Sequence, residues 1–171
     1  MNELAVTAIG ADRPGIVAAV TRVLHERGGN LEDSAMTILG GQFAVQLLVA
    51  TRDAPDELLA ALEDATADLG LTITVTAATG RGRGPAATHL LSVYGADRPG
   101  IVATVATALA DAGANVSDLE TQVIGAGADA VYAMVIELVV PDDVEVEPAL
   151  TAACDALGVD HTLRAISTET Y

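Results

Sequence analysis

Four residue types recur in one order and could hold a small charged molecule: an aspartate, a glycine, an isoleucine and, further on, an asparagine. The run Gly10-Ala11-Asp12-Arg13-Pro14-Gly15-Ile16-Val17-Ala18 leads into a helical pattern, and the same nine residues return as Gly95 to Ala103, 85 positions later. A helix that starts at such a turn leaves its first N–H groups without intrahelical acceptors. Those of Gly15, Ile16 and Val17, or of Gly100, Ile101 and Val102, therefore make a prepared anion site, and a carboxylate fits there. Gly15 and Gly100 lack a Cβ, so a ligand can approach the backbone closely. Asp12 and Asp97 could accept a hydrogen bond from an ammonium group, and Asn30 and Asn115 each carry a donor and an acceptor. Together these groups suit a zwitterion. Each also has an ordinary reading, since Asp before a helix is a common cap and Asn after a glycine a common turn residue.

Other chemistry finds less support. No nucleophile stands with a base, and His25, His89 and His161 share no spacing that suggests a metal site. Cys154 is the only cysteine, which rules out an internal disulfide and a cysteine-based metal cluster. Its neighbours Ala152, Ala153 and Leu157 mark it as a buried packing residue. Phosphate-cradling glycine motifs after a strand are absent, because Gly80, Gly82 and Gly84 lie in an Arg-rich stretch with no helix following. Glu57, Glu63, Asp64 and Asp68 spread along the outer face of one helix and read as a solvated surface. The expectation is a protein without catalysis, cofactor or metal.

The elements that must position the two turns follow from periodicity. Leu4 to Ile9 and Leu90 to Tyr94 read as first strands, and Pro14 and Pro99 suit a first helical position. Ile16, Val20, Val23 and Leu24 recur at helical spacing, as do Ile101, Val105, Ala108 and Leu109. Asn30 to Leu39 pairs with Phe43 to Ala50 as a hairpin, and Asn115 to Ile124 with Val131 to Val140. Second helices carry Leu58, Leu62, Ala65 and Leu69, or Val146, Leu150, Ala153 and Leu157, and stop at Gly70 and Gly158. Leu71 to Ala77 and Val159 to Ile166 close the units. Each half is thus βαββαβ, and right-handed crossovers put both helices on one face of an antiparallel sheet, a ferredoxin-like α+β arrangement. The expected domains are residues 1–78 and 88–171, with a Gly-rich linker at 79–87.

In the third strands Phe43, Val45, Leu47 and Val49, like Tyr132, Met134, Ile136 and Leu138, form the face that packs under the helices. The opposite faces, Ala44, Gln46, Leu48 and Ala50 or Ala133, Val135, Glu137 and Val139, are apolar enough to expect partial cover from the sister domain or a second chain.

The 171 residues carry a formal net charge of −16, with eight Arg and no Lys. Phosphate backbones and anionic leaflets repel such a polyanion, so direct nucleic-acid or membrane binding is not expected. No apolar run reaches the roughly 18 residues a span needs. A cytoplasmic protein is expected.

The strand, the D-R-P-G-I-V helix start and the G-G-N-L or G-A-N-V opening of the next strand resemble the ACT family, in two copies covering nearly the whole chain. The form without an attached enzyme is similar to the glycine cleavage system repressor type, and a related single copy precedes the catalytic domain of formyltetrahydrofolate deformylases. The resemblance implies amino-acid binding near the first turn and the Asn opening strand two, often at an interface between ACT domains. Carried over, the positions are Asp12, Gly15, Asn30, Asp97, Gly100 and Asn115. It also implies a regulatory protein, with a small amino acid, a protein partner and a homo-oligomer as its associations. A ligand-free adaptor of the same fold is the alternative. Four extra residues around Gly125 to Asp129 set the second hairpin apart from the first.

Overall fold

The structure, a computed structural model, describes residues 1–78, 84–125 and 130–166. The chain divides into two compact units, Met1–Gly82 and Arg83–Tyr171. In the first, β1 (Asn2–Ala11), α1 (Ile16–Glu26), β2 (Asn30–Leu39), β3 (Gln42–Thr51), α2 (Pro55–Ala65) and β4 (Thr72–Ala77) follow in order, with a 3-10 turn at Ala67–Leu69. In the second, β5 (His89–Ala96), α3 (Ile101–Asp111), β6 (Asn115–Ile124), β7 (Val131–Val139), α4 (Glu147–Leu157) and β8 (Asp160–Ala165) repeat the pattern. The sheets are antiparallel, in the orders β2-β3-β1-β4 and β6-β7-β5-β8. This is the ferredoxin-like βαββαβ unit twice. Most of the expected linker, residues 79–83, lies outside the described residues, as do 126–129 of the longer hairpin.

The strand faces sort as the alternation requires, since a period of two sends alternate side chains to opposite sides. Phe43, Val45, Leu47 and Val49 are buried, as are Tyr132, Met134, Ile136 and Leu138. Ile16, Val20, Val23 and Leu24 of α1, with Leu58 and Leu62 of α2, close the first core over Leu4, Val6 and Ala8. In the second core Ile101, Val105 and Leu109 of α3 join Leu150 and Cys154 of α4 over Leu91 and Val93. Ala65 and Ala108 are less covered than the periodicity suggests, because α2 ends at Ala65 and Ala108 sits at the margin of its stripe. On the faces away from the helices Ala44, Leu48 and Ala50 are half-buried and Gln46 is exposed.

Two devices hold helix to sheet. Gly10 and Gly95 approach the residues that lead into the last strands so closely that a Cβ on Gly95 would sit 2.7 Å from Val159 Cγ1, and one on Gly10 2.8 Å from Leu71 Cδ2. Helix ends are fixed by glycines in the left-handed region, Gly158 at φ 63° and Gly70 at φ 65°, where a side chain would be strained. Glu57, read from sequence as solvated, also accepts the Ala54 N–H at 3.0 Å and so satisfies one group at the start of α2.

The edge strands differ from the rest. Met36 and Ile38 stand in register with Val45 and Phe43, on the helix side of the sheet, yet are 53% and 52% exposed. In β6, Leu119 and Val123 repeat this exposure. An eleven-residue helix is about 16 Å long and a ten-residue strand about 33 Å, so the helices leave part of each sheet uncovered. Of the four edge strands, β2 and β6 carry a register shift near their start, between Leu31 and Asp33 and between Val116 and Asp118.

Candidate functional site

The repeated turn takes one shape in both units. β1 ends at Ala11, the Asp12 N–H donates to the Gly41 carbonyl at 2.9 Å, and the chain turns through Pro14 into α1. That bond ties the turn to the β2–β3 hairpin. Gly15 is the residue that caps α1, at φ 95° and ψ −9°, and Gly100 caps α3 at φ 94° and ψ −2°. The first helical residues are Ile16 and Ile101, so Pro14 and Pro99 lie in the turn instead of at the first helical position. The reason is the left-handed step, which only glycine takes at low cost. It inserts one residue between proline and helix.

No side chain caps either helix. The capping reading of Asp12 and Asp97 therefore fails in this conformation, and the leading N–H groups, Ile16 and Ile101 included, have no side-chain acceptor among the described residues. Among the described residues nothing lies within 4 Å of where a Cβ would stand on Gly15 or Gly100, so glycine is there for its backbone angles. Asp12, Gly15, Asp97 and Gly100 are all exposed.

The asparagines are placed elsewhere. Asn30 opens β2 opposite Ala50, which in turn faces Glu3 at the start of β1, whereas Asp12 follows the end of β1. Asp12 is nine residues on from Glu3, an extended distance of about 30 Å. Asn115, opposite Val139, is likewise at the far end of its sheet from Asp97. The fold joins aspartate, glycine and isoleucine within each unit and does not bring that unit's own asparagine to them.

The two turns have different surroundings. Arg98 Nη1 donates to the Leu157 carbonyl at 3.1 Å and so caps the end of α4. Arg13 has no hydrogen bond or ion pair with another described residue. Tyr132, opposite Gly95 in register, is 8% exposed, and its hydroxyl donates to Met134 Sδ at 3.8 Å. Burial raises the Tyr132 phenol above its ordinary value of 10.0, the Asp97 charge adds to the rise, and the Thr121 hydroxyl opposes it. Tyr132 was legible from sequence only as a core residue. Its hydroxyl is directed at Met134, which stands opposite Val93 in the register.

Away from the turns the titratable groups serve packing. Burial pushes the Cys154 thiol up, with Asp155 and Glu147 adding to the rise, so it stays protonated at neutral pH. His161 Nε2 meets Glu147 Oε1 at 3.2 Å, and Arg27 pairs with Asp53, whose backbone carbonyl also accepts from Asn2. Among the described residues no group of three or more His, Cys, Asp or Glu could hold a metal ion. No helix there is long and apolar enough to cross a membrane.

Residues 2–76 match the ACT domain, and residues 89–157 match it again. The chain belongs to the ACT-domain family. Over 172 aligned residues it is 31% identical to the glycine cleavage system transcriptional repressor of Escherichia coli (strain K12), covering 96% of this chain and 90% of that protein. A UPF0237 protein of Methanopyrus kandleri is 41% identical over 78 residues, 44% of this chain and 87% of its own length. The crystal structure of an unknown protein from Galdieria sulphuraria superposes with a TM-score of 0.82 at 30% identity, over 97% of this chain and 99% of that one. The tandem ACT pair is therefore related along nearly its whole length to a protein named as a regulator.

Gly15→Ala and Gly100→Ala should each destabilise the protein by about 1–3 kcal/mol in denaturant melts although the added methyl meets no atom, because the cost lies in φ alone. The raised Tyr132 phenol makes a second expectation. The unfolded chain loses its proton first, so this contribution to stability is whole below about pH 10 and declines as pH rises through the folded value. Tyr132→Phe should flatten the alkaline fall in melting temperature.

Proposed function

We propose that this tandem ACT protein is a non-enzymatic cytoplasmic regulator that binds a small amino acid and thereby alters its contacts with a protein partner. The observation that carries the reading is the doubled, uncapped helix start: a left-handed glycine, bare N–H groups and an adjacent aspartate, in both copies. The ligand carboxylate sits on the N–H groups from Gly15 and Ile16, or from Gly100 and Ile101, and its ammonium faces Asp12 or Asp97. The kinship with a glycine cleavage system repressor supports a role in glycine or one-carbon metabolism.

Asn30 and Asn115 enter this site from another copy. β2 and β6 stand at the edges of their sheets, and two such edges pairing antiparallel about a two-fold bring Asn30 of the partner subunit toward the Leu39 end of β2. That end is the Asp12 end. A homo-oligomer thus completes what one unit lacks.

The regulator holds a protein instead of DNA, since a chain of charge −16 is repelled by the phosphate backbone. A salt-dependent gel shift of duplex DNA by the purified protein alone, at physiological salt, would contradict this half of the proposal.

For the ligand half, a thermal-shift screen against the free amino acids should find at least one that stabilises. At one hundred times its dissociation constant the gain is about 2.7 kcal/mol, which for a chain of this size is a shift of about 5–11 °C. Asp12→Ala with Asp97→Ala, and separately Asn30→Ala with Asn115→Ala, should shrink that shift more than they lower the unliganded melting temperature. If no amino acid moves the melt, the adaptor reading replaces this one.

A further inference from the structure

The two turns are identical from Gly10 to Ala18 and from Gly95 to Ala103, yet their arginines are in different states. Arg98, between Asp97 and Gly100, extends Nη1 to the Leu157 carbonyl at 3.1 Å, across 59 residues of chain. Arg13 makes no such bond to a described residue. In the first repeat the tie in place is a backbone one, from the Asp12 N–H to the Gly41 carbonyl.

The end of α4 is built to receive the Arg98 donor. A helix leaves its last carbonyls without intrahelical partners. Gly158, left-handed at φ 63°, turns the chain so that its N–H meets the Asp155 carbonyl and the Val159 N–H meets the Cys154 carbonyl, both at 3.1 Å. The Leu157 carbonyl, the last of the helix, takes Arg98. A cation there also suits the negative end of the helix dipole. The guanidinium lies over the junction itself, since a Cβ on Gly158 would stand 3.5 Å from Nη1. On the other side of the junction Gly95 abuts the Val159 side chain. The second turn is thus held to α4 and β8 on both sides of Gly158. In the first repeat Gly70 takes the same left-handed step after Leu69, but α2 has already ended at Ala65.

Resting on the amino-acid reading above, we infer that Arg98 is a positioning residue of the second site. By fixing Asp97 and Gly100 to the α4–β8 junction it pre-sets the N–H groups that receive the ligand carboxylate. Arg13 has no such role in the first site. A turn fixed beforehand loses less freedom when a ligand arrives, so the strap raises affinity although Arg98 touches no ligand. One exposed bond of this kind gives about three- to tenfold.

Amide hydrogen exchange and isothermal titration of the full chain test this. Both arginines are exposed, so substituting them leaves the cores alone. The first helical bonds, from the Thr104 N–H to the Gly100 carbonyl and from the Ala19 N–H to the Gly15 carbonyl, both 2.9 Å, report how firmly each turn is set. Arg98→Met should quicken exchange at Thr104, whereas Arg13→Met should leave Ala19 as it was. With the first turn silenced by Asp12→Ala, Arg98→Met should weaken binding of glycine, or of whichever L-amino acid raises the melting temperature most, about three- to tenfold. In the converse Asp97→Ala background the same substitution should leave binding at the first turn unchanged. The loss should persist at about 1 M salt, where the Debye length is about 3 Å, because the strap runs to a neutral carbonyl. A loss that vanishes there means that Arg98 attracts the carboxylate by charge, and overturns the positioning role. Unchanged exchange at Thr104, unchanged affinity, or an equal loss at the first turn from Arg13→Met overturns it too and leaves amino-acid binding standing. If no amino acid binds the unaltered chain, the site reading falls and this inference falls with it.

Discussion

Burial of one face of β3 and β7 under two short helices is the constraint from which the other features follow. Phe43, Val45, Leu47 and Val49, with their counterparts from Tyr132 to Leu138, can leave water only if both helices cross on the same side of the sheet. The connection from β1 to α1 must then reverse direction within a few residues above the sheet edge. A left-handed glycine makes that reversal, and the cost is a helix start with no side chain to satisfy it. The same backbone step that seats α1 over the core leaves its leading N–H groups without a side-chain acceptor among the described residues.

The helices also leave much of the edge strands β2 and β6 bare, and the chain manages those edges unevenly. Glu32 and Asp33 in β2, and Asp118 and Glu120 in β6, place charge along the strands, which opposes indiscriminate strand pairing. The shared register shift near each strand start adds local twist. Beyond the shift, Met36 and Ile38 remain apolar and exposed. Acidic side chains thus lie toward the start of β2 and exposed apolar ones toward its end.

Much of this was legible in the sequence because it depends on period. The alternation from Phe43 to Val49 fixed which face is buried, the 85-residue repeat fixed the duplication, and Gly158 marked the end of α4; α2 instead ends at Ala65, before Leu69, and Gly70 closes the 3-10 turn that follows it. What escaped depends on conformation at single residues or on register between distant ones. Pro14 suits a helix start by type, but the left-handed Gly15 after it moves the start on, and no periodicity reports a φ angle. Asn30 and Asp12 are close in the motif, yet β2 and β1 run so that the two fall at opposite ends of the sheet. Tyr132 counted as core by alternation, which is correct for its ring and silent about its hydroxyl.

The scarcity of aromatic side chains has an optical consequence. The chain contains no tryptophan, Tyr94 is exposed, and Tyr132 is the buried tyrosine among the described residues. The first unit holds its corresponding place with Phe43, whose ring absorbs weakly. Near-ultraviolet circular dichroism of the folded protein therefore reads the asymmetric environment of Tyr132 above all, and one half of the molecule serves as a built-in chromophore while the other is nearly dark.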